Sequence, residues 1–132
     1  MSNVPADLRY TKSHEWVRDL GDGTVEIGIT DHAQHELGDL VFVEVPGAGR
    51  TVKADEPCAV VESVKAASDV YAPIAGEITA GNPKLAGEPE VVNADPYGEG
   101  WLMRLKPSPG ALAAAALLSA AEYQKVLDTE GG

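Results

Sequence analysis

The sequence holds a single cysteine, Cys58, a single phenylalanine, and no apolar run near the roughly 18 residues that a membrane span requires. One thiol excludes an intramolecular disulfide and fits a reducing compartment. Its neighbours in Cys58-Ala59-Val60-Val61 are apolar and predict a buried, inert thiol rather than a nucleophile, because burial disfavours the thiolate. Met1 to Asp7 carries neither the apolar core of a secretory signal nor an Arg-rich amphipathic stretch. A soluble, cytoplasmic protein with no membrane partner is expected. Basic residues are also few: 10 Lys and Arg stand against 21 Asp and Glu, a formal charge of −11. A surface of that sign repels phosphate backbones, which argues against nucleic acid as a partner. The same field would serve either steering toward basic enzyme entrances or solubility alone. Aromatic residues are only 5% of the chain, so the core is expected to be mainly aliphatic.

What is present is ordinary globular material, 44% hydrophobic and 23% charged over 132 residues, enough for one compact domain without metal or disulfides. Glu15 to Asp19 and Thr24 to Ile29 flank Gly21-Asp22-Gly23, and Val25, Ile27 and Ile29 alternate, which predicts a hairpin whose second strand is half-buried. Asp31-His32-Ala33-Gln34 resembles a capping box started by Asp31, and Gly38 is a stop, so a short helix is expected from Asp31 to Leu37. Strands follow at Asp39 to Val45, near Thr51 and Val52, at Glu77 to Thr79 and at Trp101 to Leu105, with turns at Pro46 to Gly49 and Ala72 to Gly76. Ser119-Ala120-Ala121-Glu122 is a capping box that opens a terminal helix through Leu127. The chain is thus mainly β, with its helices at the periphery.

Cys58 to Tyr71 is ambiguous on pattern. Val60, Val61, Val64, Ala67 and Tyr71 recur at helical spacing, and no Gly or Asn marks a tight turn, so periodicity slightly favours a helix. The β-propensity of Ala59-Val60-Val61 and Asp69-Val70-Tyr71 permits two strands folded about Ser63 to Ala66 instead.

Val61-Glu62-Ser63-Val64-Lys65-Ala66-Ala67-Ser68-Asp69, followed by Tyr71-Ala72-Pro73, resembles the lipoyl-attachment motif of the glycine cleavage H proteins. Ser13-His14-Glu15-Trp16, Gly28-Ile29-Thr30-Asp31, Gly38 to Glu44, and Asn93 through Trp101 stand around it in the order that family shows. The resemblance covers about Leu8 to Leu127 of a single carrier domain spanning 1–132. It implies a barrel-sandwich hybrid of two small antiparallel sheets with short peripheral helices and a C-terminal helix. That fold overrules the helical reading of Cys58 to Tyr71 and puts Lys65 at an exposed hairpin tip.

By the same resemblance Lys65 carries lipoate as lipoyllysine, and the chain is a non-catalytic, monomeric carrier. The partners implied are a pyridoxal-phosphate glycine decarboxylase (P protein), a folate-dependent aminomethyltransferase (T protein), dihydrolipoyl dehydrogenase (L protein) and a lipoylating enzyme. A lone lysine between Val64 and Ala66 would otherwise read as a solvated charge. The small neighbours Ser63, Ala66, Ala67 and Ser68 leave room for an enzyme to approach. The methionines that flank the lysine of biotin carriers are missing.

An aminomethyl group on such an arm is cationic and open to hydrolysis. Glu15 and Asp69 are candidates to pair with it and Ser13 to add a hydroxyl, against the alternative that all three are turn and surface residues. Glu62 is either a recognition handle for the lipoylating enzyme or a cross-strand polar residue. His32, His35 and Glu36 share metal-ligand chemistry on one short helix, but no further ligand completes a site and none is expected; His14 reads as structural. Three other functions compete. A 2-oxo acid dehydrogenase lipoyl domain would be shorter and lack the Ser13 to Trp16 and Pro96 to Trp101 segments. A scaffold or donor that passes its lipoyl group to other proteins fits the same residues, and an enzyme built on Cys58 has no histidine placed beside the thiol.

Overall fold

The computed structural model of the protein describes residues 3–129. Met1, Ser2 and residues 130–132, the ends of the expected single domain, lie outside the described residues.

Among the described residues, nine strands form two antiparallel sheets. The larger contains β1 (Arg9–Tyr10), β2 (Glu15–Asp19), β3 (Val25–Ile29), β9 (Met103–Pro107), β8 (Gly76–Gly81) and β5 (Thr51–Val52), in that order. The smaller contains β4 (Leu40–Glu44), β6 (Pro57–Ser63) and β7 (Ala67–Tyr71). The main core joins inward-facing aliphatic residues of both sheets, among them Ile27, Ile78 and Leu105 from the larger and Val43, Val61 and Val70 from the smaller. Alternation along each strand is what places these side chains on one face. The expected aliphatic core is therefore the one between the sheets.

The buried aromatic residues pack separately. Tyr10, Trp16, Tyr97 and Tyr123 join Leu8 and Leu127 in a second cluster beneath the C-terminal helix α5 (Ala120–Thr129). Tyr10 and Tyr123 stack with ring centroids 4.7 Å apart. This cluster corrects the reading of β3 as half-buried: all five of its residues are buried. Gly28 is the reason on one side, since it pairs directly with Trp16 and the indole lies across it. A Cβ on Gly28 would stand 2.7 Å from the Trp16 ring. On the neighbouring pair, buried Glu26 accepts from both Arg18 and Arg104. Gly28→Ala is expected to displace the indole from its bond to the Pro96 carbonyl and to cost about 2–3 kcal/mol, read as a lowered urea midpoint at unchanged m-value.

The helices show how local chemistry sets boundaries. Helix α1 (Asp31–Leu37) has the expected extent, but its cap is Thr30, whose hydroxyl accepts from the Ala33 amide, so the motif begins one residue before Asp31. The terminal capping box forms in both directions: Glu122 N donates to Ser119 Oγ at 3.2 Å and Ser119 N to Glu122 Oε1 at 2.9 Å. Single-turn helices at α2 (Lys84–Gly87), α3 (Val91–Ala94) and α4 (Ala111–Ala114), and the two-residue β1, carry no sequence periodicity and were not expected. The strand expected at Trp101 to Leu105 instead runs from Met103, where register with β3 starts opposite Ile27, to Pro107, where pairing with Gly76 of β8 ends.

Candidate functional site

Strands β6 and β7 form a hairpin, with Glu62 opposite Ala67 and Val61 opposite Ser68. This resolves Cys58 to Tyr71 as two strands rather than a helix. The turn between them needs no glycine because Ser63 supplies the missing partners. Its hydroxyl accepts from the amides of Lys65 (3.2 Å) and Ala66 (3.0 Å), while its own amide donates to the Ala66 carbonyl at 2.7 Å. A serine that bonds neighbouring backbone in this way stabilises a turn without left-handed residues. The sequence offers Ser63 as the start of the fold-back and a small neighbour of Lys65; that its hydroxyl closes the tip emerges from the structure.

Lys65 is exposed at that tip, beside Val64, of which 77% is exposed. Its stem is not free on all sides. A Cβ placed on Gly38 would lie 3.6 Å from Lys65 Cε, so the outer end of the lysine stem lies close over the glycine. The Asp39 carbonyl accepts from Val64 N at 3.3 Å, which ties the tip to the start of β4.

At the other end of β7 a carboxylate is buried. Glu15, only 2% exposed, accepts at Oε1 from Ser13 Oγ and Thr11 Oγ1, each at 2.6 Å, and at Oε2 from Tyr71 N at 3.3 Å. Burial pushes its pKa above the ordinary carboxylate value, and the hydrogen bonds from Ser13, Thr11 and Tyr71 pull in the opposite direction. The loop that presents these hydroxyls turns at His14, whose φ of 73° is left-handed, and His14 Nδ1 is 2.7 Å from Tyr123 OH on α5. Thr11 also accepts from the Glu15 amide at 3.0 Å. Thr11 escaped sequence reasoning, since only that left-handed turn folds it back onto Glu15.

The structure thus brings Ser13 to Glu15. Asp69 stands apart, exposed on β7 opposite Val60. Glu62 is exposed opposite Phe42. Cys58 is buried and burial pushes its thiol up to about 11, which leaves it protonated at neutral pH. His32 is buried with Nε2 3.7 Å from Glu36, and its ring lies 4.7 Å from that of His14, while His35 faces outward.

A sequence model of the family described as "Glycine cleavage H-protein" matches residues 8–130. The chain belongs to that family. It is 62% identical over 131 residues to the glycine cleavage system H protein of Halorhodospira halophila, covering 99% of this chain and all of the relative. It is 55% identical over 130 residues to that of Cronobacter sakazakii, covering 98% of this chain and all of the relative. The crystal structure of a glycine cleavage system H protein from Mycobacterium marinum superposes with a TM-score of 0.85 at 41% identity, covering 98% of this chain and all of that one. The two antiparallel sheets and the C-terminal helix are therefore the fold of the H-protein family, as the resemblance implied, and the larger sheet does not close into a barrel.

Proposed function

We propose that this chain is the lipoyl-bearing carrier of a glycine cleavage system, with lipoate attached as an amide to Lys65 Nζ. The observation that carries the reading is the exposed lysine on a serine-closed hairpin tip, with a buried carboxylate at the opposite end of the same strand. The residues fit the group: Ser63, Ala66, Ala67 and Ser68 leave the lysine open to an attaching enzyme. When bound, the lipoyl group supplies a disulfide that opens to accept a fragment. The chain's own residues bind, orient and shield. Lys65 anchors; Ser63 and the Gly38 backbone fix the anchor; Glu15, held by Thr11 and Ser13, offers negative charge to a cationic aminomethyl cargo, with Asp69 as an outer carboxylate. Glu62 stands three residues before the lysine on an exposed strand face, where the attaching enzyme would meet it.

In this reading the chain turns over no substrate itself and acts as a single domain and a monomer in the cytoplasm. It receives the aminomethyl group from the pyridoxal-phosphate decarboxylase, passes it to the folate-dependent aminomethyltransferase, and is reoxidised by dihydrolipoyl dehydrogenase. The buried, protonated Cys58 supports that division of labour, since the one thiol of the chain is no nucleophile.

The test is exchange of label between bicarbonate and the glycine carboxyl by the decarboxylase. Lipoylated protein is expected to stimulate exchange with saturable dependence on its concentration and to give no decarboxylation alone. Absence of stimulation would favour the lipoyl-donor reading.

A further inference from the structure

We propose that Asn93 is a positioning residue for Lys65, fixing from outside the hairpin the glycine bed over which the outer end of the lysine stem lies. The proposal rests on the reading of Lys65 as the attachment site. Gly38 has φ 83° and ψ −161°, a backbone region open essentially to glycine alone, and such a conformation persists only where its surroundings hold it. Two bonds do so. Gly38 N donates to the Gln34 carbonyl at 3.0 Å, and Asn93 Nδ2 donates to the Gly38 carbonyl at 2.9 Å. The remaining capacity of the amide is used on the same segment: Nδ2 also donates to Gln34 Oε1 at 3.0 Å, and Oδ1 accepts from Leu40 N at 2.9 Å. The Leu40 amide must donate and the Gly38 carbonyl must accept, so these partners also determine which way the Asn93 amide faces.

One side chain on α3 therefore grips three successive points: the last turn of α1, the glycine beneath the lysine, and the first residue of β4. That segment is bonded to the tip in turn, through the Asp39 carbonyl to Val64 N and through the pairing of Leu40 with Ser63. Val92, the neighbour of Asn93, is fully buried, which roots α3 in the core. The Gly38 bed limits the directions that the lysine stem can take. In the attachment step the Nζ ammonium first gives up a proton, the free amine bonds to the carbonyl carbon of an activated lipoyl group supplied by the lipoylating enzyme, the activating group leaves with its bonding pair, and nitrogen loses a second proton as the amide forms. A stem already ordered before capture lowers the ordering cost of reaching that geometry. Asn93 acts through Gly38 and touches none of the reacting atoms.

Asn93→Asp replaces both donors with oxygen facing two acceptors. With the apo protein as substrate of a lipoylating enzyme, its KM is expected to rise roughly fivefold at nearly unchanged kcat, the cost of one additional side chain to immobilise. In protein labelled at lysine carbons, the NMR order parameter of Lys65 Cε is expected to fall. Should Asn93→Asp be recovered unfolded, Asn93→Ser removes the same donors without adding charge and carries the same readouts. Val92→Ala, on the same helix, loosens packing and spares the amide. A wild-type KM and order parameter in the folded Asn93 variant, or an equal rise in KM in Val92→Ala, would overturn the proposal. Lys65→Arg, run alongside, separates this from failure of the underlying reading: an adduct retained there would reject Lys65 itself.

Discussion

Protein produced with lipoate and a lipoylating enzyme is expected to gain one lipoyl adduct by intact mass, mapped to Lys65, and Lys65→Arg is expected to gain none while remaining folded. Lys65 is exposed at a turn whose bonds come from Ser63 and the backbone, so the change removes the acylated nitrogen and leaves the scaffold intact. Arginine keeps the charge, but its guanidinium is no acyl acceptor under these conditions. Stimulation of glycine–bicarbonate exchange should disappear with the adduct. Mapping of the adduct to Lys53 or Lys84, both also exposed, would reject the assignment.

The second large effect concerns retention of the cargo. A loaded aminomethyl ammonium that leaves water loses hydration, and the Glu15 carboxylate is placed to offset that loss. Glu15→Gln is expected to release formaldehyde and ammonia roughly tenfold faster in the absence of the transferase, the rate equivalent of about 1.4 kcal/mol. Lipoylation and reoxidation, which involve no cation there, should be nearly unchanged. Asp69→Asn should have a smaller effect, because that carboxylate is exposed and screened. The pH dependence follows from the direction of the Glu15 shift. Its pKa in the folded protein lies above the ordinary value, so the carboxylate takes up its proton at a higher pH than an ordinary glutamate as the solution is acidified. Release from wild type should therefore accelerate on mild acidification, and the step should be missing from Glu15→Gln. Stability of the unloaded protein runs the other way. The native state binds the proton more tightly than the unfolded chain does, so this group contributes stability at low pH that is lost as pH rises through the folded pKa. Equal release rates for wild type and Glu15→Gln at every pH would remove Glu15 from the shelter.

The sequence made some of this architecture plain because local chemistry alone decides it. Gly21-Asp22-Gly23 between Glu15 to Asp19 and the alternating Val25, Ile27 and Ile29 marks a hairpin, and Asp19 and Asp22 do bond the turn amides. Ser119 and Glu122 likewise close the cap of α5 with no help from the rest of the fold. The hairpin that bears Lys65 was opaque to pattern for an equally local reason. Its turn is closed by a serine hydroxyl instead of a glycine, so the usual punctuation is missing and apolar residues from two strands fall by accident at helical spacing. Only the resemblance to the H-protein family corrected that reading.

The single-turn helices α2 and α3 exist through long-range bonds. Asn82 Nδ2 reaches the carbonyls of Glu99 and Trp101, and its Oδ1 accepts from Lys84 N, while Leu85 and Val92 are buried in the main core. The same limit applies at the site. Ser13 and Glu15 are two residues apart and could be linked from sequence, whereas Tyr71 N meets Glu15 across 56 residues and Asn93 meets Gly38 across 55. Such pairings are set by the packing of the two sheets and by α3, which no window of sequence contains.

The most direct test of the carrier reading follows the methylene carbon of glycine on the protein itself. Lipoylated protein, the decarboxylase and glycine labelled at that carbon are mixed without the transferase, and the peptide containing Lys65 is weighed. The account predicts one labelled aminomethyl group on that peptide, lost to folate when the transferase is added. Label that reaches folate without ever residing on the Lys65 peptide would contradict it.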